Sequence, residues 1–463
     1  MTLISSISGI RGTIGGNVSE ALTPIDIVKY VAAYATMVIN KFGTERPLKV
    51  VVGRDARVSG QMVDSIVCGT LSACGINVVN CSLASTPTVE MAVVFESADG
   101  GIIITASHNP REWNALKLLN ENGEFLDSLE GTELLEIVRD GRFPFCGVEK
   151  LGKITYKDFT AKHIEAVYRY PLVDTAAIRA ARFRVVVDGV NSVGGIIIPA
   201  LLQTLGVECI KVNCDPTGEF AHNPEPLPQH LKELSERVMK EGAHLGISVD
   251  PDVDRLALVC EDGSFFGEEY TLVSVADYIL SQRPGPTVSN LSSSRALRDV
   301  TEKYGCSYSA SAVGEVNVTT EMKRVGAVIG GEGNGGVIVP DLHYGRDALI
   351  GVALFLSLMA QRGQKPSQIR DSLPKYVISK NKIELSDTRL IAQVLDGVRS
   401  FFASEKVSTI DGVKIDFEHD KRWVHLRRSN TEPIIRIYSE ASDKEKADEL
   451  ASKVIDIVKE IIR

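Results

Sequence analysis

The chain has 463 residues, of which 44% are hydrophobic and 24% are charged, and this composition is close to that of an average soluble globular protein. It excludes a disordered or fibrous chain, and the length predicts roughly three or four domains. The formal net charge of −9 argues against a nucleic-acid or anionic-membrane partner, because both bind through basic surfaces. An anionic small substrate is compatible with this charge only where cations are concentrated locally.

The cysteines and the apolar segments bear on the cellular compartment. The eight cysteines form no C-x-x-C pair and mostly lie in apolar runs, so we expect them to be reduced and buried. The first residues lack the basic and apolar segments of a signal peptide. The longest apolar stretch, at about 348–360, is shorter than the ~18 residues of a membrane span. We therefore expect a cytoplasmic protein.

A strand–helix–strand pattern occurs three times before about residue 312. Each copy has a short β-branched run, a helical stretch and a second apolar run, and a glycine stands before the second run. The helical stretches span about 59–73, 193–205 and 295–303. Strands that alternate with helices in this way predict α/β modules with mixed, largely parallel sheets.

The segment after about residue 375 has a different pattern. We predict a strand at 376–385, a helix at 387–402 and three strands at about 408–418, 422–427 and 434–440. A final helix is predicted to open at Ser442, where Glu445 completes a capping box. The sequence thus predicts a C-terminal α+β module, and the predicted domain boundaries are 1–150, 151–255, 256–370 and 371–463.

A polar loop, T-A-S-H-N-P at 105–110, follows the apolar strand at 101–104. In an open α/β sheet, loops at the carboxyl ends of strands bind ligands. Ser107 can carry a covalent group and His108 can move protons, although neighbours in a chain rarely face each other as nucleophile and base. The alternative is an Asn-Pro turn with a capping serine. No G-x-S-x-G segment is present, which disfavours a serine hydrolase.

Three aspartates alternate in D-P-D-V-D-R at 250–255, between two apolar strands. Asp250, Asp252 and Asp254 converge on one side of a tight loop, and a divalent cation would relieve their repulsion. A calcium-binding EF-hand is disfavoured, because Arg255 stands where its turn requires glycine. Arg255 beside the acids indicates an anionic group near the metal. The alternative is a solvated acidic turn.

Two further loops have ligand-binding compositions. In G-G-E-G-N-G-G at 330–336, the glycines let the backbone approach a ligand, and Glu332 and Asn334 can hydrogen-bond hydroxyls. In R-R-S-N-T-E-P at 427–433, followed by Arg436, arginines, hydroxyls and an amide form a phosphate cradle. The alternatives are a flexible glycine loop and a turn with surface arginines. Each predicted module contains one of the four motifs. The chance occurrence of all four together is much less credible than the chance occurrence of any one of them.

Together with G-I-R-G at 9–12, these motifs resemble those of the α-D-phosphohexomutase superfamily along the whole chain. The resemblance implies four domains around a central cleft, Mg²⁺ as cofactor and a small sugar phosphate as substrate. Ser107 would carry a phosphoryl group, and the three aspartates would hold Mg²⁺ together with an oxygen of that phosphoserine. The other implied site residues are Arg11, Lys117 and Arg255 at the transferring group, Glu332 and Asn334 at the sugar hydroxyls, and Arg427, Ser429, Asn430, Thr431 and Arg436 at the second phosphate.

The resemblance also implies a reaction. A hexose 6-phosphate and its 1-phosphate would interconvert through phosphoserine and a hexose 1,6-bisphosphate, with His108 or Lys117 assisting proton transfer. Glu315 stands in V-G-E at 313–315, where dual-specificity members often have histidine, and an acid there favours a protonated amino sugar. We therefore expect a phosphoglucosamine mutase. The alternatives are a phosphomannomutase/phosphoglucomutase, a non-catalytic sugar-phosphate sensor and a metal-dependent phosphatase, and the sequence leaves the oligomeric state open.

Overall fold

The computed structural model describes residues 2–6, 9–384, 387, 389–428 and 434–462. The chain divides into two compact units, Met1–Thr271 with Gly335–Ser367 and Leu272–Asn334 with Gln368–Arg463. Within the described ranges, every helix is too short or too polar to cross a bilayer.

The first module is built on a seven-stranded mixed sheet. Its strands are β1 (Leu3–Ser6), β2 (Gly9–Thr13), β3 (Lys49–Arg54), β4 (Asn77–Leu83), β5 (Gly100–Ile104), β6 (Trp113–Leu119) and β7 (Ile154–Tyr156). Their order across the sheet is β1-β2-β6-β5-β3-β4-β7. Helices α1 (Pro24–Phe42), α2 (Gly60–Ala73) and α4 (Ser128–Asp140) share one core with the sheet, and α3 (Thr86–Phe95) belongs to a second core. β3 and β5 are parallel neighbours, so their carboxyl ends share one edge.

The second module has a four-stranded sheet. Its strands are β8 (Arg184–Asp188), β9 (Glu208–Val212), β10 (Leu245–Val249) and β11 (Leu256–Cys260), in the order β11-β10-β8-β9. Its helices are α5 (Thr160–Tyr168), α6 (Thr175–Ala181), α7 (Gly194–Leu205) and α8 (Lys232–Glu241). β10 and β11 are antiparallel, and the aspartate loop joins them. This hairpin places the loop at the end of a fully buried strand pair.

The third module is shared between the two units. It comprises α9 (Glu268–Gln282), β12 (Thr287–Asn290), α10 (Ala296–Lys303), β13 (Tyr308–Ser311), α11 (Glu315–Val325), β14 (Ile329–Glu332), β15 (Gly336–Ile338), α12 (Ala348–Arg362) and α13 (Pro366–Ser372). β12 pairs in parallel with β13 and β14 in the second unit. The first twelve residues of α12 are all buried in the first unit. The predicted helix-ending glycines adopt positive φ at Gly75, Gly206 and Gly305, as this position requires.

The C-terminal module is a five-stranded antiparallel sheet. Its strands are β16 (Val377–Glu384), β17 (Lys406–Ser408), β18 (Val413–Phe417), β19 (Arg422–Arg428) and β20 (Ile434–Ala441), in the order β16-β20-β19-β18-β17. Helices α14 (Leu390–Phe401) and α15 (Lys444–Ile462) form one core with it. The predicted single strand at 408–418 is wrong. A turn at Gly412, with φ 68°, separates β17 from β18.

The predicted cap of the last helix is also wrong by one residue. The α-helix begins at Lys444, and Asp443 rather than Ser442 precedes it. Asp443 Oδ1 accepts a 3.0 Å hydrogen bond from Lys446 N, which is the contact of an N-cap side chain. Ser442 Oγ instead donates to the Asp443 carboxylate at 3.0 Å. An ionised carboxylate is the stronger acceptor and takes the cap position.

All eight cysteines are free thiols, but only half of them are buried. The expectation of burial is met by Cys68, Cys74, Cys81 and Cys260. It is wrong for the four half-buried thiols, which are Cys146, Cys209, Cys214 and Cys306. Cys209 shows the reason, because β9 is the edge strand of its sheet and leaves side chains partly open to solvent.

Candidate functional site

Ser107 lies in the loop that follows β5 and is held in a left-handed conformation. Its φ is 49°, a region that non-glycine residues rarely adopt. Thr105 Oγ1 accepts a 2.9 Å hydrogen bond from Ser107 N, and the serine is only 4% exposed. The turned backbone brings Ser107 Oγ to 3.3 Å from His108 Nδ1. These neighbours in the chain therefore do meet, contrary to the general expectation for adjacent residues.

Arg57, which the sequence reasoning missed, holds this loop. It is fully buried, and its Nε donates to Asp55 Oδ2 at 3.0 Å. Its Nη atoms donate to the carbonyl oxygens of Ser107, Asn109, Pro110 and Trp113. Asp55 Oδ2 also accepts from Thr105 Oγ1 at 2.6 Å. The signal was R-D-A-R at 54–57, because this segment ends β3 at the same sheet edge as the serine loop.

The three aspartates of the second module converge, as their alternation predicts. Their carboxylate oxygens lie within 4.8 Å of one another, and all three residues are buried. Val253 between them has φ 65°, so the loop turns sharply enough to direct three alternate side chains inward. Ser107 Oγ donates a 2.7 Å hydrogen bond to Asp250 Oδ2. The serine loop of the first module and the acidic loop of the second thus form one site.

Two cations and one hydroxyl contact the other two aspartates. Lys117 Nζ donates to Asp252 Oδ2 at 2.6 Å and lies 3.3 Å from Asp254 Oδ2. Thr86 Oγ1 donates to Asp252 Oδ2 at 2.7 Å. Arg346 Nη2 donates to Asp254 Oδ2 at 2.7 Å. Sequence reasoning missed Thr86 and Arg346, because neither belongs to a motif and both meet the loop only through the fold.

The arrangement fits a hard divalent cation. Asp252 Oδ1 and Asp254 Oδ1 are buried, and across the described part of the chain nothing donates a hydrogen bond to either oxygen. Buried carboxylate oxygens without a partner cost free energy, so these two atoms are suited to a ligand that satisfies them. Carboxylate and hydroxyl oxygens are the ligands that Mg²⁺ prefers. Ser107 and the three aspartates therefore provide a suitable donor set.

The charges of the acidic loop are divided unequally. Burial, followed by repulsion from Asp254 and Asp252, raises the pKa of Asp250 well above its usual range. Burial also opposes ionisation of Asp252, but the Lys117 ammonium outweighs it and lowers the pKa of Asp252. Burial would lower the pKa of Lys117, yet the same two aspartates raise it. Lys117 is therefore a fixed cation at neutral pH.

His108 and the two predicted arginines flank the serine. Burial, then the positive charges of Arg255 and Arg11, lower the pKa of His108 to about 2, so its imidazole is neutral. Arg11 lies on β2, and its Nη1 donates to Asn109 Oδ1 at 3.1 Å. Arg255 N donates to Asp250 Oδ1 at 3.1 Å. The first unit thus brings all of its predicted site residues into the two loops and the strands beside them.

In the second unit, the glycine loop presents Glu332 at the end of β14. Glu332 Oε1 accepts from Asn290 Nδ2 at 2.8 Å and from Gly314 N at 3.1 Å. Glu315, the first residue of α11, follows Gly314 directly and is buried. Asn334 is half-buried two residues beyond Glu332. The unit therefore places Glu332 and Glu315 around one backbone turn, and Asn290 is a contact that no motif indicated.

The two predicted phosphate-binding arginines of the second unit face each other across two strands. Arg427 on β19 is directly paired with Arg436 on β20, so both side chains lie on the same face of the sheet. Like charges directly opposite are destabilising, which favours an anion between them. Arg427 Nε lies 3.8 Å from Asp411 Oδ2. Ser429, Asn430 and Thr431 lie outside the described residues.

Models of known protein families match this chain along most of its length. Models of phosphoglucomutase/phosphomannomutase α/β/α domains I, II and III match residues 4–144, 161–263 and 267–376, and the C-terminal domain model matches 380–457. A phosphoglucomutase/phosphomannomutase from Thermococcus kodakarensis is 38% identical over 98% of this chain and 99% of its own length. The chain belongs to the phosphoglucomutase/phosphomannomutase family. This membership confirms the predicted α-D-phosphohexomutase resemblance and fold class.

Two other members of the family show how far the likeness extends. A protein from Methanopyrus kandleri with the name "Probable phosphoglucosamine mutase" is 33% identical and covers 98% of this chain and 97% of that protein. A solved phosphoglucomutase/phosphomannomutase family protein from Burkholderia thailandensis is 25% identical, with a TM-score of 0.84 over 99% of this chain and 98% of its own. The family fold therefore extends over nearly the whole chain.

Proposed function

We propose that this chain is a Mg²⁺-dependent phosphohexomutase that exchanges a phosphoryl group between Ser107 and a hexose phosphate. The observation that carries the proposal is the 2.7 Å hydrogen bond from Ser107 Oγ to Asp250 Oδ2. It sets a buried hydroxyl against a loop of three carboxylates, which is an arrangement suited to a phosphoserine beside a divalent cation. The family membership supports the same class of reaction.

Asp250, Asp252 and Asp254 would hold the cation together with an oxygen at Ser107. The buried Oδ1 atoms of Asp252 and Asp254 support this assignment. When bound, Mg²⁺ supplies positive charge that stabilises the negative charge of phosphoryl transfer. Lys117 and Arg255 add fixed positive charge beside the same loop.

The transfer is a direct exchange of one P–O bond for another. The bond from phosphorus to Ser107 Oγ breaks while a bond to the free sugar hydroxyl forms, and the proton of that hydroxyl passes to Ser107 Oγ. In the return step the bond between the other phosphorus of the 1,6-bisphosphate and its sugar oxygen breaks, a bond to Ser107 Oγ forms, and the serine proton passes to the freed sugar oxygen. Arg57 keeps the serine loop in place throughout. His108 and Lys117 are the candidates for proton transfer. The neutral imidazole of His108 can accept a proton, whereas the Lys117 ammonium can only donate one, and pH–rate profiles of His108→Gln and Lys117→Met distinguish the two.

The phosphate that is not transferred needs a site that accepts either end of the sugar. The cross-strand pair Arg427 and Arg436 supports such a site, because paired guanidinium groups bind a phosphate through several parallel hydrogen bonds. We also assign Ser429, Asn430 and Thr431 to it from the predicted motif. Glu332 and Asn334 would bind sugar hydroxyls.

We propose glucosamine 6-phosphate and glucosamine 1-phosphate as the preferred pair. The buried carboxylate of Glu315 supports an amino sugar, which carries a positive charge when protonated. The second candidate is a mannose or glucose phosphate, favoured by the name of the 38% identical relative. A cytoplasmic location, and the absence of nucleic-acid and membrane partners, stay predictions.

The first test is a substrate panel. We expect kcat/KM for glucosamine phosphate to exceed the values for mannose and glucose phosphates, measured with the 6-phosphates and 1-phosphates of each sugar. Faster turnover of mannose or glucose phosphate would contradict the amino-sugar assignment while leaving the mutase intact. Release of inorganic phosphate without isomer formation would indicate a phosphatase instead.

The second test addresses Ser107. We expect Ser107→Ala to lose at least ~10³-fold in kcat, since it removes the acceptor of the covalent step. Intact-mass analysis should find one phosphoryl group on the wild type and none on this variant. Ser65→Ala, on the exposed face of α2, is the matched control and should keep full activity. Full activity of Ser107→Ala would refute the mechanism, because it would mean that another residue carries the phosphoryl group or that the reaction needs no covalent intermediate.

A further inference from the structure

A cluster of buried polar side chains, which we call the histidine–aspartate cluster, lies in the first unit outside the motifs. It consists of Thr88 and Glu90 on α3, His163 on α5, and His343 and Asp347 before α12. Asp347 Oδ2 lies 3.0 Å from His163 Nε2 and 3.3 Å from His343 Nε2. His163 Nδ1 lies 2.9 Å from Thr88 Oγ1, and His343 Nδ1 lies 3.3 Å from Glu90 Oε2. The cluster thus joins segments matched by three different domain models.

The cluster reaches the aspartate loop from two sides. Asp347 follows Arg346, whose Nη2 donates to Asp254 Oδ2 at 2.7 Å. On α3, Thr86 precedes Thr88 by two residues and contacts Asp252 with both its hydroxyl and its backbone N–H. One segment contains Arg346 and Asp347, and the other contains Thr86 and Thr88. In each segment one residue contacts the acidic loop and the other belongs to the cluster.

The backbone around Arg346 is fixed on both sides. Asp347 N donates to Val337 O at 2.9 Å, and Asp347 Oδ1 caps α12 by accepting from Leu349 N at 2.8 Å. On the other side, a Cβ atom at Gly345 would lie 1.9 Å from Glu90 Oε2, so any larger residue there would displace the Glu90 side chain. Asp347 therefore uses both carboxylate oxygens, one to cap the helix and one to contact the two histidines. These contacts fix the backbone position from which the Arg346 side chain extends.

The cluster is not a second metal centre. Among the described residues, the three aspartates of the acidic loop form the only group of three or more acids, histidines and cysteines whose donor atoms all converge within 4.8 Å. The imidazole nitrogens of the cluster are instead engaged with the Asp347 carboxylate, the Thr88 hydroxyl and Glu90. Its members contact one another and the backbone, so any influence on the site acts through Arg346 and Thr86.

We propose that Asp347, His163 and His343 are positioning residues that hold Arg346 against Asp254 and thereby set the affinity of the acidic loop for its divalent cation. The inference rests on the proposed function, because it presumes that the three aspartates bind Mg²⁺. Arg346 neutralises one oxygen of Asp254 and leaves the other free of hydrogen bonds. Loss of this support lets the carboxylate rotate away from the geometry that a cation requires. Replacing a residue that hydrogen-bonds to a metal ligand and orients it typically changes the metal affinity by about 10–100-fold.

The experiment is calorimetric titration of the full-length protein with MgCl₂, without substrate. We expect Asp347→Asn and Arg346→Gln each to raise the Kd for Mg²⁺ by about 10–100-fold. At saturating Mg²⁺ the KM of Asp347→Asn for the sugar phosphate should stay near the wild-type value. Arg346→Lys should recover part of the affinity, because it restores the charge without the fork of the guanidinium group.

The matched control is His222→Gln. His222 Nε2 lies 3.0 Å from Asp188 Oδ2, which is a comparable histidine–aspartate pair in the same unit, and neither residue hydrogen-bonds to the three aspartates. We expect it to lower the thermal midpoint and to leave the Kd for Mg²⁺ unchanged.

The possible outcomes separate the inference from the proposed function. If the wild type binds Mg²⁺ and Asp347→Asn lowers the thermal midpoint without changing the Kd, the cluster is structural only and the inference is overturned. If Asp347→Asn does not fold, Arg346→Gln decides, and an unchanged Kd for that variant likewise overturns the inference. If the wild type itself binds no Mg²⁺, the proposed cofactor fails, and the inference fails with it.

Discussion

Arg57 shows how one residue can shape a site without belonging to any motif. Its guanidinium group is fully buried, pairs with Asp55 and donates to three carbonyl oxygens of the serine loop and to that of Trp113 at the start of β6. We expect Arg57→Met to lower the free energy of unfolding by about 3–5 kcal/mol, because it leaves a buried carboxylate without its partner. Urea unfolding measures this loss.

Arg169→Met is the control for Arg57. Arg169 makes an exposed ion pair with Glu165 at 2.6 Å, and exposed pairs contribute at most ~1 kcal/mol. If the two variants unfold at similar urea concentrations, the buried guanidinium group does not stabilise the serine loop as argued.

His343 makes stability depend on pH. Burial alone would lower the pKa of this imidazole, but Asp347 and Glu90 on either side raise it to about 10. This is above the ~6.5 of an unfolded histidine, so its stabilising contribution is complete below pH ~6.5 and is lost as the pH rises through about 10. We expect the difference in free energy of unfolding between wild type and His343→Gln to be large at pH 6 and small above pH ~10. A difference that grows with pH would contradict this charge assignment.

At the scale of elements, the last helix provides a direct comparison of two neighbouring caps. Asp443 accepts from Lys446 N, whereas the Ser442 hydroxyl hydrogen-bonds to the Asp443 carboxylate and to Lys446 Nζ. We therefore expect Asp443→Ala to lower the urea midpoint of unfolding and Ser442→Ala to change it much less. The opposite ranking would restore the serine cap that the sequence pattern favours.

The order and type of the elements were predictable because they follow local rules. Alternating apolar runs, helical spacing and glycines at helix ends locate α2, α7 and α10 to within a residue or two. The turn between β17 and β18 was missed, because the segment 408–418 reads as one strand in sequence although Ser408 and Lys414 pair across a hairpin.

The site was only partly predictable for a different reason. The motifs identify Ser107 and the aspartates because each group lies within six residues of sequence. Arg57 contacts the serine loop from 50 residues away, and Arg346 contacts Asp254 across 92 residues. Such contacts depend on which loops lie at the same edge of a sheet, and a local sequence pattern does not indicate this arrangement.

At the scale of the whole molecule, the net charge of −9 coexists with a nearly balanced site. The described residues of the first unit place five cations beside four carboxylates, namely Arg11, Arg57, Lys117, Arg255 and Arg346 beside Asp55, Asp250, Asp252 and Asp254. The positive potential that a sugar phosphate requires therefore depends on the bound cation as well as on the side chains.

This balance predicts a cation effect on stability. Mg²⁺ at 100 times its Kd should raise the free energy of unfolding by about 2.7 kcal/mol, because it binds only the folded loop. Asp254→Asn should lose most of this increment, and Asp140→Asn, at the exposed end of α4, should keep it. Thermal or urea unfolding with and without chelator measures the effect, and an equal increment in both variants would place the cation elsewhere.

The discontinuity of the first unit has a consequence for synthesis on the ribosome. The serine loop and the acidic loop have both been translated by residue 255. The segment Gly335–Ser367, which completes the first unit, is translated only after Leu272–Asn334, which belongs to the second unit. A nascent chain whose acidic loop has just left the ribosome still lacks Arg346 and the buried helix α12. The first unit cannot therefore finish folding in N-terminal order, as independent domains do. When translation reaches Asn334, the first unit still lacks Gly335–Ser367 and the second still lacks Gln368–Arg463, so neither unit is complete at that point.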